Sequence, residues 1–308
     1  MLAPAIQPSD PFDPPAILHG VPAETYHALD AASSHNLTTL LDRSPAHVRG
    51  MEEEESNALS LGTLVHTAIL EPAMLARRYR AQPVIKGSPQ ANAYKRALAE
   101  WLAGVLGRAQ LPEVDAQTEK DRLDAQLALL RADLEKAGIY EAKQEALDIA
   151  ERCRDRVYAH PFLRPLLADF EPEVTLIARD PGTGLKLKAR VDALPNGHDV
   201  LLDLKTAQDA SSNGFHRAAR NYRYAMQPAL YTYTWQLITG LSAAFLFIAV
   251  ETAPPFGVQL FELTQDGFER ARQKMRVGLD RWAACVAAGH WPNYPHEVAQ
   301  LDLPSWAI

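Results

Sequence analysis

The chain predicts a mixed α/β fold of the α+β kind. A helical N-terminal half leads into a mixed central sheet, whose first three strands form an antiparallel meander flanked by helices. Three observations carry this reading. Apolar residues such as Leu123, Leu127, Leu130 and Leu134 recur at helical spacing among charged neighbours. From Glu173 to Lys205 the spacing shortens to that of strands, broken by Pro181-Gly182-Thr183-Gly184 and Pro195-Asn196-Gly197-His198. A helix, two strands and a long last helix then follow, with no internal repeat.

Residues 1–22 are proline-rich and without periodicity, which predicts a flexible arm ahead of a single domain over residues 23–308. Regular structure should begin near Ser33-Ser34, whose hydroxyls can cap a helix carrying Leu37, Leu40 and Leu41. Ser44-Pro45 reads as a stop and restart, because proline suits a first helical turn. The acidic run Glu52–Glu55 reads as a solvated loop or helix end. Ser60 caps a short helix, Leu61–Leu70, closed by Glu71-Pro72. Residues 90–160 read as helical throughout, an insertion in the domain. Beyond the meander, residues 224–239 form a helix ended by Gly240, residues 243–251 and 257–263 are strands around Pro254-Pro255, and Thr264 caps a helix to about Ala288.

Composition narrows the classes. A hydrophobic share of 47% with 22% charged residues marks a globular chain rather than a disordered one. The longest apolar stretch, residues 241–250, has about half the length needed to cross a bilayer, so no membrane partner is expected. The N-terminus shows no basic flank before an apolar core. Two distant cysteines, Cys153 and Cys285, cannot build a four-cysteine metal site and suit a reducing compartment; the expected location is cytoplasmic. A net charge of −7 argues against a protein that coats nucleic acid, but leaves room for a local basic cleft.

The meander yields geometry by alternation. A second hairpin centred on Asn196 and Gly197 puts Arg190 across from Asp203 and Asp192 across from Leu201. Side chains alternate, so Asp192, Asp203 and Lys205 share a face with Lys188 and Arg190, and the two aspartates become diagonal neighbours. A first hairpin centred on Gly182 and Thr183 places Glu173 opposite Asp192. Three carboxylates and a lysine converge. Few oxygen ligands with room for water suit Mg²⁺, with Mn²⁺ as a substitute. Such a cation polarises a phosphoryl oxygen, and Lys205 can offset developing charge. An ordinary Asp203–Lys205 ion pair on an exposed strand is the bland alternative, although the run Val200-Leu201-Leu202-Asp203-Leu204-Lys205 is too apolar for an exposed edge.

Asp192 followed by Leu202-Asp203-Leu204-Lys205 resembles the PD-(D/E)xK nuclease pattern, and the element order resembles that fold. Gln227-Pro-Ala-Leu-Tyr231 resembles the Q-x-x-x-Y helix of the RecB-like branch, and Gly62-Thr63-Leu64-Val65-His66 its upstream helix. Tyr26-His27-Ala28-Leu29, Ser44-Pro45-Ala46-His47, residues 61–72, residues 188–195 and Trp291-Pro292-Asn293-Tyr294-Pro295 resemble the RecE, or exonuclease VIII, group of phage-type exonucleases. The resemblance spans about Tyr26 to Trp306; the stretch near residues 90–134 matches no motif. It implies that His66, Asp192 and Asp203 are metal ligands, that Lys205 is the catalytic lysine, and that Gln227 and Tyr231 support the site or the DNA backbone. Glu173 is added as a ligand on geometry, and Arg190 as a supporting cation. The resemblance further implies a 5′-to-3′ exonuclease acting on double-stranded DNA ends in recombination, a ring-shaped homo-oligomer and a single-strand annealing recombinase as partner. An endonuclease of the same fold and an inactive DNA-end-binding module remain alternatives. Trp235, Trp282, Trp291 and Trp306 read as core or interface anchors. Arg43, His47 and Arg49 form either a solvated face or a contact for a terminal phosphate.

Overall fold

The computed structural model describes residues 12–50, 60–298 and 300. In chain order the elements are β1 (Ala16–Leu18), α1 (Ala23–Ala28), α2 (Ser34–Asp42), α3 (Pro45–Arg49), α4 (Leu61–Leu70), α5 (Pro72–Arg78), β2 (Tyr79–Ala81), α6 (Asn92–Val105), α7 (Glu119–Lys136), β3 (Tyr140–Ala142), α8 (Gln144–Ala159), α9 (Leu163–Leu166), β4 (Phe170–Arg179), β5 (Lys186–Pro195), β6 (Val200–Ala207), α10 (Ser212–Asn221), α11 (Met226–Thr239), β7 (Ala244–Glu251), β8 (Val258–Phe261) and α12 (Gln265–Ala288). Among the described residues no helix is long and apolar enough to cross a membrane.

Local chemistry explains most boundaries. The hydroxyls of Ser33, Ser60 and Thr264 accept from the amides of Asn36, Thr63 and Gly267, so α2, α4 and α12 start where capping residues stand. Pro45 and Pro72 open α3 and α5. Gly240 ends α11 in the left-handed conformation, at φ 75°, that a residue with a β-carbon rarely adopts.

The sheet has six strands in the order β1-β4-β5-β6-β7-β8. Neighbours are antiparallel except β6 and β7, whose parallel pairing needs the crossover that α10 and α11 provide. Helices cover both faces. Leu37 and Leu40 of α2, Leu230 of α11 and Leu279 of α12 join Leu176, Ala189, Leu201 and Phe247 in one core. Leu64 and Ile69 of α4 and Cys153 and Val157 of α8 join Leu202, Leu204 and Ile248 in a second. Strand β6 thus contributes to both cores, which is why it reads as a continuous apolar run. Leu201, Leu202 and Leu204 each contribute about 1.5–3 kcal/mol on burial, which offsets the several kcal/mol that a carboxylate held among them costs.

Two expectations need correction. Part of the lead-in expected as an arm is strand β1, because Ala16–Leu18 pairs with Thr175–Ile177 and covers the edge of β4. Residues 90–160 are not helical throughout: residues 106–118 form a connection, and β3 pairs in parallel with β2 as a separate two-stranded sheet. Helices α6 and α7 bury Leu98, Leu102, Leu127, Leu130 and Leu134 against each other in a core of their own. Residues 1–11, the run Glu52–Glu55 and Trp306 lie outside the described residues. Trp235 and Trp282 are buried, and Trp282 meets Trp291 edge to face at 5.4 Å.

Candidate metal and nuclease centre

The first hairpin has the expected register. Pro172 pairs with Ala193 and Val174 with Val191, which brackets Glu173 against Asp192. Glu173 itself has a left-handed φ of 52°, a strained conformation for a side-chain-bearing residue of the kind that concentrates at functional sites. The second hairpin differs. Its loop is four residues, 196–199, not two, and the Ala193–Leu202 pair sets Asp192 level with Asp203 rather than with Leu201. The shift is two residues, so the alternation survives. Beyond that pair β5 and β6 separate, and the functional side chains gather in the gap. Asp192 Oδ2 accepts from the Leu204 amide at 2.7 Å, which satisfies a donor that a regular ladder would have used.

His66 comes from α4, over a hundred residues earlier. Its Nδ1 lies 4.0 Å from Asp192 Oδ2. His66, Glu173 and Asp192 each bring one ligand atom within 4.8 Å of the others. Asp203 stands beside this trio rather than in it. Its Oδ1 accepts from Gln227 Nε2 at 2.9 Å, and its Oδ2 faces Lys205 Nζ at 2.5 Å. Tyr231, one helical turn on, is buried on the same face of α11. The Q-x-x-x-Y motif therefore holds a carboxylate in place.

Burial raises the pKa of Asp192 well above the carboxylate range, and the negative charges of Asp203 and Glu173 add to it against the opposing pull of Lys205. Burial also raises that of Glu173, despite Arg190. His66 is pushed down to about 4 by burial and by the Lys205 ammonium, so it is a neutral imidazole near pH 7, the form that binds metal. Burial works against the charge on Lys205, but Asp203 and Asp192 outweigh it and raise its pKa. Carboxylates short of compensating charge, beside a neutral imidazole, are a donor set that fits a divalent cation.

Other expected residues have different surroundings. Arg190 Nε lies 2.5 Å from Glu173 Oε2, and its guanidinium sits 5.7 Å from the Tyr26 ring centre, so it backs the acidic cluster. Lys188, expected on the same face, donates to the carbonyls of Tyr26, His27 and Leu29 and ties down the end of α1. Arg49 lies 4.5 Å over Trp291 and the His47 ring lies 5.0 Å from that of Tyr294, so both help dock α3 against the C-terminal segment. Sequence reasoning missed Tyr224, whose ring centre is 5.1 Å from Lys205 Nζ. The signal was an aromatic three residues ahead of Gln227.

A sheet opened between two central strands, with aspartates at the opening and a lysine two residues beyond the second, defines the PD-(D/E)xK class of nuclease folds. Within that class, residues 42–304 match the family described as a PDDEXK-like domain of unknown function (DUF3799), and the chain belongs to that family. Among solved structures the chain is similar to an exonuclease candidate from Eubacterium rectale, at 12% identity and a TM-score of 0.52 over 92% of this chain and 96% of that one; the likeness is one of fold. A phage-related exonuclease from Haemophilus somnus is similar over 75% of this chain and 96% of its own at 11% identity, with a TM-score of 0.27 that carries no structural argument. No curated protein matches the sequence.

Proposed function

We propose that this protein is a divalent-metal-dependent deoxyribonuclease, using Mg²⁺ with Mn²⁺ as a substitute, that degrades duplex DNA from its ends. The observation that carries the reading is the gathering of His66, Glu173 and Asp192 beside the Asp203–Lys205 pair in one gap of the sheet. A cation held there supplies Lewis-acid activation of a phosphodiester and of water. The chain's own residues do the rest. Lys205, kept charged by two aspartates, is a fixed positive charge beside the reacting phosphate. Asp203 aims that ammonium, and Gln227 aims Asp203, with Tyr231 buried one helical turn on. Asp192 ties the site to β6 through the Leu204 amide.

The end requirement, the 5′-to-3′ direction, a role in recombination, the ring-shaped homo-oligomer and a single-strand annealing recombinase as partner rest on the RecE-like motifs, and the exonuclease name of the Eubacterium rectale protein is in keeping with them. The test is digestion of linear duplex labelled at either end beside closed circular plasmid, with Mg²⁺ or with chelator. The expected result is Mg²⁺-dependent loss of the 5′ label first, with circles intact. Nicked circles would make it an endonuclease, and binding without cleavage an end-binding module.

A further inference from the structure

Two tyrosines stand next to the site and play no part in the chemistry above. The Tyr224 ring packs on Phe215 and Phe247, with centres 5.9 and 5.8 Å away, beside the Lys205 ammonium. Tyr222 stacks on Tyr224 at 5.7 Å with 20° between the rings, yet 70% of its surface is open to solvent. An aromatic row therefore runs from solvent to the lysine.

The backbone is bent to build that row. Arg223, between the tyrosines, has a left-handed φ of 58°, which persists in a residue with a β-carbon only where its surroundings hold it. Here they do: Arg223 Nε donates to Asp42 Oδ2 at 2.7 Å, and Lys274 Nζ donates to Asp42 Oδ1 at 2.9 Å, so the turn is clamped between the end of α2 and α12. Arg223 Nη1 also donates to the Arg220 carbonyl. Arg217 and Arg220 precede the two rings in sequence and Arg223 stands between them, a mixture of cations and aromatics of the kind that takes a nucleic-acid strand.

We propose that Tyr222 is a base-stacking platform: an unpaired nucleobase close to the scissile phosphate lies on its exposed face while Tyr224 supports the other. The proposal rests on the deoxyribonuclease reading and names its substrate more closely, as a strand that enters the site separated from its complement. The steps of 5.7 and 5.1 Å from Tyr222 to Tyr224 and on to Lys205 put the exposed ring at most about three nucleotides from the lysine at the roughly 3.4 Å rise of a DNA strand. Every base has a π-face, so recognition is tolerant of sequence.

The test compares full-length Tyr222→Ala, Tyr222→Phe and Tyr222→Trp by steady-state cleavage of linear duplex. Tyr222→Ala should raise KM about tenfold with kcat unchanged, while Phe and Trp keep the wild-type KM. In Lys205→Ala protein, 2-aminopurine at a strand terminus should be quenched on binding, and the quench should vanish when Tyr222→Ala is added. Unchanged KM in Tyr222→Ala, an equal loss in Tyr222→Phe, or an altered oligomer mass in Tyr222→Ala would each overturn the platform alone. A wild-type protein that neither binds nor cuts DNA would overturn the deoxyribonuclease reading and the platform with it.

Discussion

The β4–β5 hairpin carries two aspartates, Asp180 fully buried and Asp192 partly buried, that differ in their supply of donors and in the charges beside them. Asp180, fully buried in the turn, accepts from Thr183 through amide and hydroxyl, from the Tyr233 hydroxyl at 2.6 Å and from Arg276 through both terminal nitrogens at 2.9 and 2.8 Å. Burial alone would raise its pKa, but those hydrogen bonds and the Arg276 charge hold it well below the carboxylate range. Asp192 accepts from the Leu204 amide, and its close neighbours include two more carboxylates, so its pKa is driven up. A saturated carboxylate is a staple between hairpin, α11 and α12. An undersupplied one is a place for a cation.

The contrast breaks most sharply at Lys205. It is the cation of the undersupplied cluster, and its effect belongs to the reaction rather than to folding. Lys205→Ala should cut single-turnover cleavage by on the order of 10²–10³ while metal affinity is kept or improved, because a repelling charge has gone. Cleavage kinetics beside metal titration by calorimetry decide this; wild-type cleavage would reduce the lysine to a strand ion pair.

Asp180 should show the opposite profile. Asp180→Asn should leave metal binding alone and destabilise the fold by about 3 kcal/mol, the cost of breaking a buried pair. The sign with pH follows from its lowered pKa. The stabilisation is full above the ordinary value of about 3.9 and is lost progressively as pH falls from there toward the lowered folded value, so the denaturant midpoints of wild type and variant should begin to converge below about pH 4. A gap that stays constant down to pH 3 would mean that the carboxylate charge is not what holds the turn.

The smallest effect sharpens the comparison further. In metal-free protein, Asp192→Asn removes a charge that the cluster penalises and can still accept from Leu204. It should leave stability unchanged or raise it by up to about 1 kcal/mol, a melting shift of roughly 2 °C, while cleavage is lost. A destabilisation like that of Asp180→Asn would place Asp192 among the staples.

Much of this was legible in the residues. Gly182-Thr183 at a turn, with alternation on either side, is enough to set Glu173 against Asp192, and serine or threonine ahead of an apolar period is enough to start α2, α4 and α12. The second hairpin was misread by two residues because Asn196-Gly197 is a strong signal for a two-residue turn, while the chain closes with His198 and Asp199 also in the loop. The partners of Lys188 and Arg190 were not legible, since alternation says nothing of what packs over a strand. Tyr222 and Tyr224 were passed over because no repeat or cap marks a stacked pair.

The sequence by itself therefore determined helices α2, α4, α11 and α12, the order of the strands in the meander and the grouping of Asp192, Asp203 and Lys205, because turns, caps and alternation act over a few residues and leave a local pattern. Tertiary structure alone decided that β5 and β6 part beyond Ala193 and Leu202, that His66 reaches Asp192 from α4, that Asp203 turns toward Gln227 and Lys205 instead of the trio, and that Arg223 is clamped so that two rings stack. These depend on how helices settle on both faces of a twisted sheet, where the contacting residues lie far apart in the chain and packing, rather than any local code, selects the partner.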